Sequence, residues 1–282
     1  MGKSSIFSRL KSLAAAAFCL AAVGASAVAQ DGAANNTGAK KPKDEKRSAD
    51  TKDSSAKQTT AEGVAESTIL IYGGLGGRDR LNQIRKTAIE RGRLSILGES
   101  GQMEEATYQT WVVRGDNLSK EKIRFDQEYP TVRYSLVRTG DKTFGVFNNS
   151  VFNPRSDAAK TFENRIYHGL EALLRYKENG SKIELAGREK ILGVDYHILD
   201  LTDTQGRKTR YYISAKSFRV MMIDYEDGGV KYRRKFYDYN YAQGTLVPFR
   251  STLTAGDKLV EESRVLTITF GQKVDDSLFA EG

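Results

Sequence analysis

The 282-residue sequence predicts a mainly β fold of the α+β class, with helices packed on one face of an antiparallel sheet. Turn residues recur roughly every 8–12 positions between residues 181 and 271, and apolar residues alternate between them. A meander of this kind buries one face by closing into a barrel or sandwich, or by packing against helices. The turns are expected at Gly193, Asp203–Gly206, Asp227–Gly229, Gln243–Gly244 and Ala255–Asp257.

Strands are also expected before residue 150, because apolar residues there follow the same two-residue period. The alternating pairs are Leu94 and Ile96, Trp111 and Val113, Ile123 and Phe125, Tyr134 and Leu136, and Phe144 and Val146.

One strong amphipathic helix is expected between the two runs of strands, over residues 157–177. Ser156 is a suitable N-cap, and Gly180 ends the segment. The apolar stripe of this helix comprises Phe162, Ile166, Leu170, Leu173 and Leu174. The helix is therefore expected to lie across the sheet and cover its apolar face.

The start of the domain predicts a short helix, a glycine-rich break and a second helix. Thr59 and Glu62 have the spacing of a capping box, although the β-branched residues 68–71 also allow a strand. Glycines at positions 73, 74, 76 and 77 then interrupt the chain. They do not form a dinucleotide-binding fingerprint, because Asp79 occupies the position of its third glycine.

The first 60 residues are expected to be a leader and a linker. Residues 1–29 combine basic residues, an apolar run and a small-residue cleavage site, which is typical of a secretory signal peptide. Residues 30–60 lack large apolar side chains and are expected to be a disordered charged linker, followed by one domain over residues 61–282. Cys19 is the only cysteine, and Phe18 before it is unsuited to lipidation. We therefore expect an exported, periplasmic protein without disulfides.

Composition and motifs argue against several function classes. The formal net charge of +8 falls to about +5 without the leader, and the basic residues form no patch, so nucleic-acid binding is not expected. His168 and His197 give no zinc signature, and no Gly-x-Ser-x-Gly motif occurs. His168 is expected to be solvated on the outer face of the helix. We predict no catalytic residue, no metal and no cofactor, but a dispersed enzyme site stays an alternative.

Several segments together resemble the LolA/LolB-type outer-membrane lipoprotein-sorting superfamily, over roughly residues 62–282. The segments that carry the resemblance are residues 193–199, 211–213, 236–239, 244–249 and 275–279. The resemblance implies a strongly curved antiparallel sheet, an incomplete barrel whose concave face is covered by helices over an apolar cavity. It further implies a carrier of acyl chains or lipoproteins, or a sensor of envelope lipoproteins.

The sequence and the resemblance together predict a periplasmic, monomeric carrier that sequesters an acyl chain or a lipoprotein. An envelope-stress sensor that contacts a membrane protein through the same cavity is the alternative within the family. Tyrosines at positions 232, 237, 239 and 241 fit an aromatic ladder or a ligand-lining role. The predicted cavity lining comprises Leu94, Ile96, Trp111, Val113, Phe125, Phe144, Val146, Ile198, Met222, Phe236, Phe249, Leu266 and Ile268.

Overall fold

The computed structural model describes residues 59–281, which carry four α-helices and thirteen strands. The expected signal peptide and most of the expected linker lie outside the described residues. The helices are α1 (Ala61–Gly73), α2 (Gly77–Ile84), α3 (Ser156–Tyr167) and α4 (Leu170–Leu174). The strands are β1 (Thr87–Leu97), β2 (Met103–Val113), β3 (Lys122–Glu128), β4 (Arg133–Thr139), β5 (Lys142–Phe147), β6 (Ser150–Phe152), β7 (Lys182–Ile191), β8 (Val194–Thr202), β9 (Lys208–Ser214), β10 (Val220–Asp227), β11 (Val230–Ala242), β12 (Thr245–Ala255) and β13 (Lys258–Phe270).

All thirteen strands form a single antiparallel sheet in the order β6-β5-β4-β3-β2-β1-β13-β12-β11-β10-β9-β8-β7. The sheet consists of two meanders, β1–β6 and β7–β13, which are joined where β1 pairs with β13. We call this ladder the seam. The two outer strands, β6 and β7, do not pair with each other, so the sheet is an incomplete barrel, as the sequence predicts.

The hairpin turns lie at the positions that the glycines indicate. The β7–β8 turn has Leu192 at φ 49° and Gly193 at φ 82°, and the β11–β12 turn has Gln243 at φ 49° and Gly244 at φ 78°. Two consecutive residues with positive φ are typical of the tight turns whose twist matches that of the flanking strands. Glycine at the second position adopts this backbone without the steric penalty of a side chain.

The N-terminal helices differ from the expectation in detail. The N-cap of α1 is Thr60, whose hydroxyl accepts a hydrogen bond from the Gly63 amide at 3.0 Å. Residues 68–71 are helical, because Ile69 and Tyr72 bury the inner side of α1 in the main core. The glycine cluster ends α1, forms a 3-10 turn over Gly74–Gly76 and starts α2.

The single long helix expected over residues 157–177 is two helices. The chain breaks at Gly169, which separates α3 from α4. A Cβ atom at Gly169 would lie only 2.8 Å from the carbonyl oxygen of Arg165, so the turn needs glycine there. The pair α3–α4 connects β6 to β7, the two opposite edges of the sheet.

Apolar cores lie on both faces of the sheet. On the face that packs against the helices, Leu199, Tyr211 and Ile223 join residues of α1 and α4 in the main core. A second core under α3 contains Leu94 and Phe125. The opposite face has two smaller clusters, one of them closed by the C-terminal turn Asp276–Phe279. Among the described residues, no helix is both long and apolar enough to cross a membrane.

A candidate binding cavity between the helices and the seam

A cavity of about 310 Å³ lies between the helices and the central strands of the sheet. Its walls come from the end of α2, from α3 and α4, and from the strands on both sides of the seam. Two ladder pairs of the seam line it directly, Ala88 with Phe270 and Glu90 with Ile268. The apolar lining comprises Ala88, Val112, Leu118, Ile123, Phe125, Phe162, Ile166, Leu170, Phe236, Val247, Pro248, Val265, Ile268 and Phe270.

Three of the thirteen residues predicted to line a cavity do so, namely Phe125, Phe236 and Ile268. Leu94 and Ile96 belong to the core under α3, and Phe249 is half-buried outside the lining set. The structure brings none of the four tyrosines of β11 to the cavity wall. The other predicted residues are on the opposite face of the sheet or exposed: Trp111, Val113, Phe144, Val146, Ile198, Met222 and Leu266.

The predicted residues that lie on the opposite face have a common physical cause, which is strand phase. On β2, Thr110 and Val112 face the cavity, so Trp111 and Val113 point to the opposite face. On β13, Leu266 is the extra residue of a bulge, because Thr267 pairs with Arg91 while Val265 pairs with Gly92. Leu266 is therefore exposed although it stands two residues before Ile268.

Charged side chains also line the cavity, and together with Glu261, which lies outside the lining set, they form two Arg–Glu–Arg groups. In the first, the Glu171 triad, Glu171 on α4 accepts hydrogen bonds from Arg85 Nη1 at 2.6 Å and from Arg114 Nη2. Arg85 also donates to the carbonyl oxygen of Leu246 at 2.8 Å, and Arg114 donates to Asn82 Oδ1 at 3.2 Å. The triad thereby fixes the helices to β2 and β12.

The second group, the Glu261 triad, joins α3 to the meander β7–β13. Glu261 on β13 accepts hydrogen bonds from Arg165 Nη2 on α3 and from Arg234 Nη1 on β11, both at 2.8 Å. Arg234 also donates to Ser251 Oγ at 3.1 Å, and the hydroxyls of Ser251 and Ser263 pair at 2.9 Å. The Arg165 guanidinium lies 4.7 Å from the centroid of the Phe125 ring, a cation–π contact.

The pKa values of the two central carboxylates, Glu171 and Glu261, are shifted in the same direction. Burial alone would raise their pKa values, but the paired arginines outweigh it. Arg114 and Arg85 lower the pKa of Glu171 to about 2, and Arg165 and Arg234 lower the pKa of Glu261 to about 2. Both carboxylates are therefore ionised at neutral pH, and each triad carries one more positive than negative charge.

Glu90 is a carboxyl group in the cavity wall that makes no ion pair with any described residue. It accepts a hydrogen bond from the Tyr108 hydroxyl at 2.7 Å, and burial raises its pKa. Gly92 makes this contact geometrically feasible. A Cβ atom at Gly92 would lie 2.5 Å from the Tyr108 ring and 2.3 Å from the carbonyl oxygen of Arg264.

Glu121 completes the charged lining and is paired with Arg175, with both side chains buried. Burial and the neighbouring Glu171 raise the pKa of Glu121 to about 7. Arg175 also donates to the carbonyl oxygen of Gly115 at 2.6 Å. This pair fixes α4 to the loop before β3, behind the Glu171 triad.

Both histidines lie away from the cavity wall. The expectation of a solvated His168 is wrong, because α3 ends there and the ring packs beneath the helix. Its Nδ1 is 2.6 Å from Thr209 Oγ1, and the ring stacks on Tyr225 with centroids 4.2 Å apart. Burial and Arg207 lower the pKa of His168 to about 4. His197 is also buried and stacks on Phe218, and burial lowers its pKa.

The wall offers few groups for catalysis. Within the part of the chain that the structure describes, the lining set contains no histidine, cysteine or lysine. Glu171 and Glu261 are held ionised by two arginines each, so their low pKa values make them weak general bases. Across residues 59–281, no group of three or more histidine, cysteine, aspartate or glutamate residues is placed to hold a metal ion.

Sequence reasoning missed all seven charged residues of the wall. The missed residues are Arg85, Glu90, Arg114, Glu121, Arg165, Glu171 and Arg234. One signal was present, because Arg234 stands two residues before Phe236 and so shares the inner face of β11. The pairing itself has no local motif, since Arg85 and Glu171 are far apart in the chain.

No protein-family model matches the sequence, and no curated protein matches it significantly. Solved structures do match the described fold. A LolA superfamily protein of Nitrosomonas europaea has a TM-score of 0.58 at 12% identity, with 79% of this chain and 98% of that chain covered. The chain has a LolA-like fold.

Two further structures give the same result. A DUF1329 family protein of Desulfovibrio piger has a TM-score of 0.57 at 13% identity, covering 78% of this chain and 97% of that one. A putative outer membrane lipoprotein-sorting protein domain of Vibrio parahaemolyticus has a TM-score of 0.51 at 11% identity, covering 68% and 88%. At these identities the LolA-like fold is what the chains share.

Proposed function

We propose that the protein is an exported, periplasmic carrier that sequesters a single acyl chain, free or part of a lipoprotein, in the cavity at the seam. The cavity itself is the observation that carries the proposal. Its walls are mainly aliphatic and aromatic, it lies between helices and sheet, and its volume of about 310 Å³ is at the lower end of the range for ligand sites. One narrow chain fits such a space better than a bulky lipid.

The driving force would be removal of apolar surface from water, at about 25 cal/mol per Å². The LolA-like fold supports the proposal, because one matching structure is described as a putative lipoprotein-sorting domain. Export would follow from a signal peptide over residues 1–29. Two alternatives are distinguished by experiment. A stable complex with a membrane-protein ectodomain would support a sensor, and turnover of the bound molecule would support an enzyme.

Two matched small-to-large substitutions test the cavity. Ile268 lines it, whereas Ile198 is fully buried in a cluster on the opposite face of the sheet. I268F is expected to fill empty space, so it should block an acyl probe with a small change in stability. I198F overpacks a filled core and is expected to cost about 1–3 kcal/mol while leaving probe binding intact.

The measurements are displacement of a fluorescent fatty acid and urea unfolding, on the mature protein after delipidation. Unchanged probe binding by a folded I268F variant would contradict the proposal. Native mass spectrometry of protein isolated from its own periplasm then identifies the bound molecule.

A further inference from the structure

The two triads have the same composition, but they present opposite charges to the cavity. In the Glu171 triad the carboxylate side chain is 31% exposed, and the side chains of Arg85 and Arg114 are 9% and 8% exposed. In the Glu261 triad the carboxylate is 7% exposed and Arg165 is 29% exposed. The first triad thus offers a carboxylate to the cavity, and the second offers a guanidinium group.

Arg165 also has unused hydrogen-bond donors. Its Nη2 donates to Glu261, while Nε and Nη1 donate to no described residue. Neither nitrogen is among the buried atoms that lack a partner, so both are accessible. Arg85 differs, because its Nη groups donate to protein oxygens and its free Nε is fully buried. Arg165 therefore combines accessible donors with the most exposed arginine side chain of the two triads.

We propose that the Glu261 triad is a headgroup site, where Arg165, supported by Arg234 and the Ser251–Ser263 hydroxyl pair, binds a carboxylate or phosphate at the polar end of a single-chain amphiphile. The inference rests on the proposed carrier function and adds the chemical class of the ligand. The Arg165 guanidinium keeps charged N–H donors on Nε and Nη1, and either can donate to an oxygen of a carboxylate or a phosphate.

The surroundings favour an anion over a neutral or cationic group. Glu261 balances only one of its two arginines, so the triad itself has a net positive charge in a partly dehydrated site. Burial raises the pKa of the neighbouring Glu90 carboxyl, so Glu90 offsets less of this charge than an exposed carboxylate would. Ser263 lines the same wall and provides a further hydroxyl. Leu170 and Phe125 are also in the wall, so the apolar chain can extend from the headgroup towards the Glu171 triad.

The test compares probes with the same ten-carbon chain and different headgroups: decanoate, decyl phosphate, decan-1-ol and decylammonium. Dissociation constants are measured by titration calorimetry on the delipidated mature protein. We expect decanoate or decyl phosphate to bind at least about tenfold more tightly than decan-1-ol, because charge-assisted hydrogen bonds are the strong ones. Decylammonium should bind more weakly than decan-1-ol. The comparison of the two anions shows whether the site selects a carboxylate or a phosphate.

R165Q removes the charge of the proposed headgroup site, and R114Q is its matched control in the other triad. R165Q should reduce the preference for the anionic probe over decan-1-ol to about twofold or less, with decan-1-ol binding unchanged. R114Q should retain the preference, even if it lowers stability. R165K keeps the positive charge but replaces the guanidinium with a single ammonium group, so it should retain a partial preference, and it serves if R165Q does not fold.

Equal binding of decanoate, decyl phosphate and decan-1-ol to the unmodified protein would overturn the headgroup site and leave the carrier function intact. A full anion preference in folded R165Q would also overturn it. Failure of every probe to bind would instead refute the carrier function, so the two failures are distinguishable.

Discussion

The Glu171 and Glu261 triads allow a comparison of two sites built from the same three side chains. In both, two arginines share one glutamate whose pKa is held at about 2. They differ in which partner is buried and in where the remaining donors go. Arg85 and Arg114 donate to backbone and side-chain oxygens of the protein, whereas Arg165 retains free donors. Composition therefore does not determine whether a charged group is structural or available to a ligand.

The largest difference between the triads is expected when the carboxylate is removed. E261Q leaves Arg234, which is 9% exposed, without its counter-charge, so we expect a loss of about 3–5 kcal/mol in unfolding free energy. E171Q should cost less, because the Glu171 side chain is 31% exposed, whereas that of Glu261 is 7% exposed. Urea unfolding of both variants at neutral pH makes the measurement. A larger loss for E171Q would reverse the comparison.

A smaller effect is expected in the pH dependence of the unfolding free energy. The sign of this dependence differs between the triad carboxylates and Glu121. Glu171 and Glu261 have pKa values of about 2 in the fold against 4.5 in the reference state, so their contribution is present above pH 4.5 and is lost as pH falls towards 2. The cost of E171Q or E261Q should therefore shrink on acidification below about pH 4.5.

Glu121 has a pKa of about 7 in the fold, so its contribution is present below pH 4.5 and is lost as pH rises through about 7. E121Q should remove this part of the pH dependence between about pH 5 and 8, whatever its effect on absolute stability. Unfolding free energies of the three variants and the unmodified protein across pH provide the check. An unaltered profile in E121Q would show that the Arg175 pair keeps Glu121 ionised.

The smallest effect concerns the hydroxyl groups behind each triad. Ser251 accepts a hydrogen bond from Arg234 at 3.1 Å, and Thr245 accepts one from Arg85 at 3.4 Å. S251A is expected to cost about 1 kcal/mol. T245V should cost less, because Arg85 retains its hydrogen bond to Leu246. Thermal unfolding of both variants gives the difference, and equal losses would mean that the two hydroxyls have the same role.

The fold could be predicted from the sequence more completely than the candidate site. The turns at Gly193 and Gly244 follow from local backbone preferences, which a few residues determine. The phase of each strand does not, because β8 is buried on both faces and a bulge at Met221 moves Val220 and Met222 to different faces. The predicted lining therefore mixed the two sides of the sheet.

The charged groups around the cavity could not be predicted from the local sequence, for a different reason. A strand residue such as Glu261 is exposed or buried depending on which helix packs above it, and that helix is far away in the chain. Its pairing with Arg165 depends on how the α3–α4 connection crosses the sheet. The break at Gly169 determines where the connection crosses. The sequence did not predict this break, because the apolar stripe continues through residues 162–174.

The seam has a consequence for how ligand preference is inherited. The facing wall residues Glu90 and Ile268 are ladder partners, yet one is encoded near the start of the domain and the other near its end. Under the proposed carrier function, a change of cargo would involve matched changes in two distant stretches of the gene. Exchange of one meander between related genes would combine half of one binding wall with half of another. On that proposal, changes of ligand preference among related proteins should appear as covariation between residues of β1 and residues of β13.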